Sequence, residues 1–395
     1  MDQLNQHALA SLLLGDTPLE TFWTENWNRC THLVTGRGSG TFNGCVTLSE
    51  LENVISNTRL PLGNFDMAHD QKPLDKSAYC ENGLVSPRRV YDLHGKGVTI
   101  ILRAAHYWLP GLNRLRVAAE KLFGCPVQAN VYLTPPDNQS TPPHWDTHDL
   151  FVLQIAGSKR WPLFANMNNP RPLGGERFRP GVDPVGAMTQ LAELSPGDCL
   201  YLPRGEIHAP VSIAYSVHVA LGVSSYRWID IVHSALQQIL PPDSILREPV
   251  LPSAMSCDLP MQVRSVCKAM KQLANEKALS TIARIMVSSH GDEDVLPAPG
   301  RLREIVERGA CLGFHDKLKK VAGSHLQIAQ RDNRAYLVIG EKTASFPANQ
   351  RNGLQWLAEK PTVTPADLAE KMGLDEETGL AVAQTLVEEG LLCRA

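Results

Sequence analysis

Thr141-Pro-Pro-His144-Trp145-Asp146-Thr147-His148-Asp149 is the most informative run in the chain. Side chains alternate between faces on an extended strand, so His144 and Asp146 point the same way. A neutral imidazole and a carboxylate projecting together can take two adjacent positions on one divalent ion. Bonds of ~2 Å leave no room for a third ligand from the same strand face, so it has to come from a distant part of the chain. Pro196-Gly197-Asp198 marks a turn, Cys199–Leu202 a strand, and Pro203-Arg204-Gly205-Glu206 a second turn before Ile207-His208. Folded as a hairpin in a double-stranded barrel, this segment sets His208 opposite the His144/Asp146 strand. Two histidines and one carboxylate on one face leave three positions open, the arrangement that suits iron(II) in oxygenases. Two of those positions fit a bidentate keto acid and the third fits dioxygen.

The surroundings read as β-structure. Between Val98 and Ser225, short apolar or alternating runs (Val98–Leu102, Val127–Leu133, Leu150–Ile155, Trp161–Phe164, Cys199–Leu202, Val217–Val223) are separated by Pro, Gly and Asn clusters, as in a sandwich or barrel. One helix interrupts from Pro110 to Phe123, with Leu112, Leu115, Ala119 and Leu122 on one face. Upstream, residues 2–30 read as helical, with Pro18 opening a second helix. A strand at Thr31–Thr35, a glycine-rich loop at Gly36–Gly40 and a helix capped by Thr47 follow, with Glu50 placed for a capping box. The loop lacks the order of a phosphate-binding fingerprint and is read as a loop.

Beyond Tyr226 the strand signal stops. Helical patterns run through Ile229, Ile231, Val232, Leu236 and Ile239 to Pro241-Pro242, then over Met261–Leu273, Ala278–Ser288 and Leu302–Arg308, with Gly309 as the last stop. The C-terminal part predicts a hairpin (Arg334–Ile339 and Thr343–Phe346, turning at Gly340-Glu341-Lys342). Three helices follow (Gly353–Glu359, Ala366–Met372, Glu376–Gly390), a combination that resembles a winged helix. The expected division is an oxygenase domain over 1–226, a helical region over 227–309 and a winged-helix domain over 310–395.

Composition narrows the function. The 395 residues are 43% hydrophobic and 20% charged, enough for a buried core in two or three domains. A formal net charge of −3 provides no basic field for nucleic acid. Within 345–395, Arg351, Lys360, Lys371 and Arg394 face eight acids, so the expected winged helix is not expected to bind DNA. The nine cysteines show no CxxC spacing, which disfavours zinc or a disulfide framework and fits a reducing cytoplasm. No signal peptide or membrane span is read, since no window approaches ~18 apolar residues.

A family resemblance adds to this. Val127-Gln-Ala-Asn130-Val-Tyr132-Leu-Thr-Pro-Pro, Pro143-His144-Trp-Asp146-Thr-His-Asp-Leu-Phe-Val-Leu-Gln154, Gly157-Ser-Lys159-Arg-Trp161 and Leu202-Pro-Arg-Gly-Glu-Ile-His208 together resemble the JmjC-type ribosomal oxygenases. The Phe22-Trp-Thr-Glu-Asn-Trp27 segment and the C-terminal unit extend the likeness over nearly the whole chain. The resemblance implies a mainly β, double-stranded β-helix (jelly-roll or cupin) core with N-terminal helices. It implies an Fe(II)- and 2-oxoglutarate-dependent dioxygenase, consuming O2, that hydroxylates a side chain of a protein or peptide. By position, Lys159 matches the residue that holds the distal carboxylate of 2-oxoglutarate, and Asn130 and Tyr132 match residues lining the same pocket. Ser224 is a further candidate, although the strand after His218 departs from the family pattern and reads Gly222-Val-Ser-Ser225. His148 and His218 are set aside as direct metal ligands.

Two other readings compete: an N-methyl demethylase using the same chemistry, and a non-enzymatic metal-bearing cupin scaffold. The substrate is open between a ribosomal protein, the family default, and a natural-product precursor peptide. A homodimer is expected through the 227–310 helices. Their apolar residues Ile229, Ile231, Val232, Leu236, Leu240, Met261, Val266, Leu273, Ile282 and Ile285 exceed what a linker needs, and the resemblance implies a dimerisation region there.

Overall fold

The computed structural model describes residues 6–168, 171–238, 244–247, 259–273, 279–283, 286, 312–320, 327–331, 334–339, 342–389 and 391–394. In the first part the strands are β1 (His32–Val34), β2 (Phe65–His69), β3 (Lys72–Pro73), β4 (Cys80–Glu81), β5 (Leu84–Val85), β6 (Thr99–Leu102) and β7 (Val127–Thr134). Then come β8 (Asp149–Ala156), β9 (Lys159–Phe164), β10 (Met188–Leu194), β11 (Cys199–Leu202), β12 (Ile207–His208), β13 (Val211–Ser212) and β14 (Ser216–Val223). An eight-stranded sheet runs β1-β11-β8-β14-β7-β6-β2-β3, and a smaller one runs β10-β9-β12 with β13 also on β9. All of these pairings are antiparallel.

Strand parity explains the layering. On β14, Val217, Val219, Leu221 and Val223 join the core under the helices, while Ser216, His218, Ala220 and Gly222 turn inward between the sheets. On β7, Val127, Ala129, Val131 and Leu133 pack outward with the same helices, leaving Asn130, Tyr132 and Thr134 facing in. The helices of this part are α1 (Gln6–Leu14), α2 (Leu19–Thr21), α3 (Leu48–Asn57), α4 (Pro87–His94) and α5 (Pro110–Phe123), of which α1, α3 and α5 contribute Leu9, Leu13, Leu51, Ile55, Leu112 and Leu115 to the helical layer. A second core between the sheets, with Leu150, Val152, Leu163, Leu194, Leu200 and Leu202, closes one part of the interior. Both faces of the large sheet are therefore buried, and its strands read as near-continuous apolar runs.

Local signals held well. Thr47 accepts from Glu50 N at 3.2 Å while the Glu50 carboxylate accepts from Thr47 N at 2.8 Å, the full capping box. Pro18 precedes a helical segment that becomes a π-turn at Phe22–Asn26. Gly157 has φ +62° in the β8–β9 turn, and a Cβ there would lie 1.4 Å from the Tyr215 carbonyl oxygen. Only glycine allows this close approach.

The strand expected at His144 and Asp146 is corrected. His144 forms an isolated bridge with His208, and Asp146 lies in irregular extended backbone before β8 begins at Asp149. Pro142, Pro143 and the Thr147-His148 bend break the ladder on both sides. Strands β2 and β10 fell outside the sequence reading. Each pairs at the periphery, and β10 is largely exposed, so its apolar signal is weak.

Two helices follow the barrel, α6 (Trp228–Gln238) and α7 (Leu259–Leu273); residues 279–283 and 286 are also helical. The segment Leu302–Arg308 and the turn residues Gly340 and Glu341 lie outside the described residues. The C-terminal part contains the hairpin strands Arg334–Ile339 and Lys342–Pro347 and helices at Arg351–Glu359, Pro365–Met372 and Glu376–Glu388. These share a core of Leu318, Leu337, Leu354, Leu357, Leu368 and Leu386. Among the described residues, no helix is long and apolar enough to cross a membrane.

Candidate active site

The inward faces of β7, β8, β9 and β14 enclose a cavity of about 140 Å3 that holds His144, Asp146 and His208 together with Lys159, Asn130, Tyr132 and His218. One ligand atom from each of His144, Asp146 and His208 lies within 4.8 Å of the others. The backbone creates this proximity. His144 N donates to His208 O at 3.1 Å and His208 N to His144 O at 2.9 Å, so the two histidines form one antiparallel pair. Asp146 is fixed through its carbonyl, which accepts from Gly205 N at 3.0 Å.

The donor set fits a divalent metal. His144 Nδ1 faces Pro142 O at 2.8 Å and His208 Nδ1 faces Glu206 O at 3.0 Å. A carbonyl oxygen only accepts, so each Nδ1 carries the proton and each Nε2 presents a lone pair to the centre. Burial, then the charge of His144, pushes His208 down to about 4, which keeps it neutral. Burial works to raise the Asp146 carboxyl, but His148, His144 and His208 together outweigh it and hold it below the usual range. The result is two imidazoles, each with Nε2 turned to the centre, and a carboxylate on one side of an open cavity.

At the cavity floor Lys159 is fully buried, and its ammonium reaches Thr134 Oγ1 at 3.3 Å. Burial unrelieved by any carboxylate pushes it down to about 7. Arg160, the adjacent cation, points away and pairs with Glu193 at 2.6 Å on the exposed face. Register stacks the interior in layers: Ser216 opposite Thr134, His218 opposite Tyr132, Ala220 opposite Asn130. Tyr132 lies parallel to His218, with ring centres 4.8 Å apart, and burial pushes its phenol up to about 12, so it stays protonated. The Asn130 carboxamide oxygen accepts from Ala104 N at 2.9 Å and Gln128 Nε2 at 3.2 Å, which leaves its amide N–H2 for the cavity.

The structure thus brings six of the seven sequence-derived residues to one cavity. Ser224 does not join them. It is exposed past the end of β14, and its amide donates to Pro126 O at 2.9 Å. Gly222 occupies the inward position instead, where a Cβ would come within 2.7 Å of the His148 ring. Arg103, Thr134, Trp161 and His148 also line the cavity or its floor. Thr134 shares parity with Asn130 and Tyr132, and Trp161 with Lys159, so alternation alone would have found both. Arg103 lies just past β6, ion-paired to Asp66, and no sequence pattern marks it.

Comparison with known proteins agrees with this geometry. The JmjC domain family matches residues 109–231. The chain is 30% identical over 230 residues to a bifunctional lysine-specific demethylase and histidyl-hydroxylase NO66 of Drosophila persimilis, covering 57% of this chain and 32% of that protein. It is 26% identical over 325 residues to ribosomal oxygenase 2 of Bos taurus, covering 72% and 69%. The chain spans only about a third of the length of several NO66 relatives. The Escherichia coli YcfD structure superposes with a TM-score of 0.57 at 17% identity, covering 95% of this chain and 98% of that one, which shows a common fold. A JmjC domain match over residues 109–231, this fold and a two-histidine, one-carboxylate cavity converge on a JmjC-type oxygenase domain similar to that of the ribosomal oxygenases.

Proposed function

We propose that the chain is an Fe(II)- and 2-oxoglutarate-dependent dioxygenase that hydroxylates a side chain of a protein or peptide. The observation that carries this reading is the pairing of the His144/Asp146/His208 triad with a buried, uncompensated Lys159 in one cavity. A buried cation without a counter-ion is costly, and a metal-bearing scaffold has no use for it. A dicarboxylate whose other end binds the metal does, since its distal carboxylate supplies the missing charge. A YcfD structure carrying cobalt and 2-oxoglutarate, in the same fold, supports the assignment.

In this scheme His144 Nε2, His208 Nε2 and Asp146 hold the iron and Lys159 anchors the co-substrate. Iron(II) so held, with 2-oxoglutarate and O2, supplies an oxidant able to break an unactivated C–H bond. The chain's own contribution is orientation and exclusion of water. The backbone pairing of His144 with His208 fixes the metal side, the Tyr132/His218 stack walls the interior, and Asn130 lines the same cavity. Among the described residues, the phenol and indole rings lining the cavity, Tyr132 and Trp161, pack against His218 and are not free to form a cage for a methylated cation. Hydroxylation is favoured over demethylation for that reason.

The substrate is a protein, with a ribosomal protein first among candidates because relatives carry that name. The chain is read as three parts: the oxygenase core over 1–226, a helical dimerisation region over 227–309 and a winged-helix unit over 310–395 used for packing. Exposed Trp228 and Ile229 on α6 and Val263 and Met270 on α7 support a homodimer through the helical region. The side chains of Leu236, Leu240, Met261, Leu273 and Ile285 lie outside the described residues. The test is anaerobic reconstitution with Fe(II), then a screen of lysate peptides for the gain of one oxygen atom once O2 and 2-oxoglutarate are added. Succinate formation without any oxidised peptide would leave only uncoupled turnover and count against a protein substrate.

A further inference from the structure

The cavity floor has more hydrogen-bond donors than its own residues satisfy. Lys159 Nζ has only Thr134 Oγ1 at 3.3 Å. The indole Nε1 of Trp161 and the Nδ1 of His218 are both buried and have no partner. An ammonium and an indole N–H can only donate, and a neutral imidazole carries one N–H that either nitrogen can present. A group of donors lacking an acceptor is the complement of a carboxylate, which offers about four lone-pair sites.

His218 differs in this respect from three described histidines near it in the fold or in the site. His94, His144 and His208 each set Nδ1 against a backbone carbonyl, at 2.8, 2.8 and 3.0 Å. The Nδ1 of His218 has no such partner. Its ring is held instead by packing, parallel to Tyr132 and edge-on to Trp161 at 5.4 Å and 87°. Burial first, and the neighbouring Lys159 charge second, drive it well below the usual imidazole range, so it is a neutral donor.

We infer that His218 is a second co-substrate-binding residue, whose Nδ1–H donates to the distal carboxylate of 2-oxoglutarate beside the Lys159 ammonium. This rests on the reading of the cavity as a 2-oxoglutarate site. His218 sits one register layer from Ser216 and Thr134, the Lys159 partner, and lines the same cavity close enough to Lys159 to feel its charge, so a carboxylate held by Lys159 would come within its reach. A neutral donor is suited to the position, because a second cation beside Lys159 would cost further desolvation and repulsion.

The test compares two ligands by calorimetry on Mn(II)-loaded protein. 2-Oxoglutarate and 2-oxopentanoate share the keto-acid end and the chain length, and only the first has the distal carboxylate. His218→Phe keeps the stack on Tyr132 and removes the donor. It is expected to weaken 2-oxoglutarate binding by about ten- to a hundredfold while shifting 2-oxopentanoate binding by less than about threefold. His218→Asn, which restores an N–H near the Nδ1 position, is expected to recover most of the loss, and Mn(II) affinity stays at the wild-type value in both. If the Phe ring does not fit, as judged by the circular-dichroism melt, His218→Leu takes its place. Equal losses for both ligands, or none for either, would overturn the inference and leave His218 a packing residue. Lys159→Ala separates this outcome from failure of the site reading. If that variant keeps the wild-type preference for 2-oxoglutarate, the site reading itself falls; if it loses the preference while His218→Phe keeps it, only the His218 inference falls.

Discussion

Raising the pH from 7 to 9 is expected to weaken 2-oxoglutarate binding by roughly 50-fold, through Lys159 alone. The free protein holds this ammonium in a buried cavity without a carboxylate, and burial sets its titration at about 7 instead of 10.5. A bound distal carboxylate restores a partner and raises it again, so the bound form keeps a proton that the free form loses as the pH rises. Affinity is therefore full below pH 7 and falls by up to tenfold per pH unit above it, until the raised value is reached. At pH 7 about half of the free lysine is protonated and at pH 9 about one part in a hundred, which gives the 50-fold figure. The assay is calorimetry on metal-loaded, anaerobic protein in two buffers of different ionisation enthalpy, reporting affinity and proton uptake together. Near pH 8.5, uptake of close to one proton is expected. Lys159→Ala should bind weakly at every pH and lose the slope. Flat affinity from pH 7 to 9 in the wild type, with no proton uptake, would refute the view that a desolvated lysine anchors the co-substrate.

The same lysine affects stability with the opposite trend: its depressed value means the unfolded chain binds more protons between about pH 7 and 10.5, so the apo protein gains stability as pH rises through that window, measurable by denaturant midpoints. His144→Ala, Asp146→Ala and His208→Ala are each expected to abolish 2-oxoglutarate decarboxylation and weaken iron binding with the fold retained; wild-type activity in His208→Ala would place the third ligand elsewhere. Gly157→Ala is expected to cost ~3 kcal/mol or more, because its Cβ meets the Tyr215 carbonyl and its φ is positive; an unchanged urea midpoint would contradict this. Light scattering at micromolar protein should give about twice 43.4 kDa, and a mass near 43.4 kDa itself would rule out the homodimer.

Much of the site was legible in sequence because it depends on parity and turns. Residues two apart share a strand face, which places Asn130, Tyr132 and Thr134 together, and likewise Lys159 with Trp161. Turn chemistry at Pro196-Gly197-Asp198 and Pro203–Glu206 was enough to return His208 to the His144/Asp146 segment. Helix boundaries followed caps and apolar stripes, as at Thr47 and Pro110.

Sequence alone could not say which face of a doubly buried strand is which. The β14 run Ser-Val-His-Val-Ala-Leu-Gly-Val is buried at every position, so nothing in its composition assigns His218 and Gly222 to the interior or dismisses Ser224. That assignment comes from registration against β7, a long-range pairing decided by packing of helices on one face and the small sheet on the other. Arg103, His148 against Gly222 and the unpartnered His218 nitrogen are likewise consequences of tertiary proximity. Local sequence set the turns and the parity of each strand; only the closed barrel decided which donors share a cavity, because hydrogen-bond satisfaction is a property of the whole packed interior.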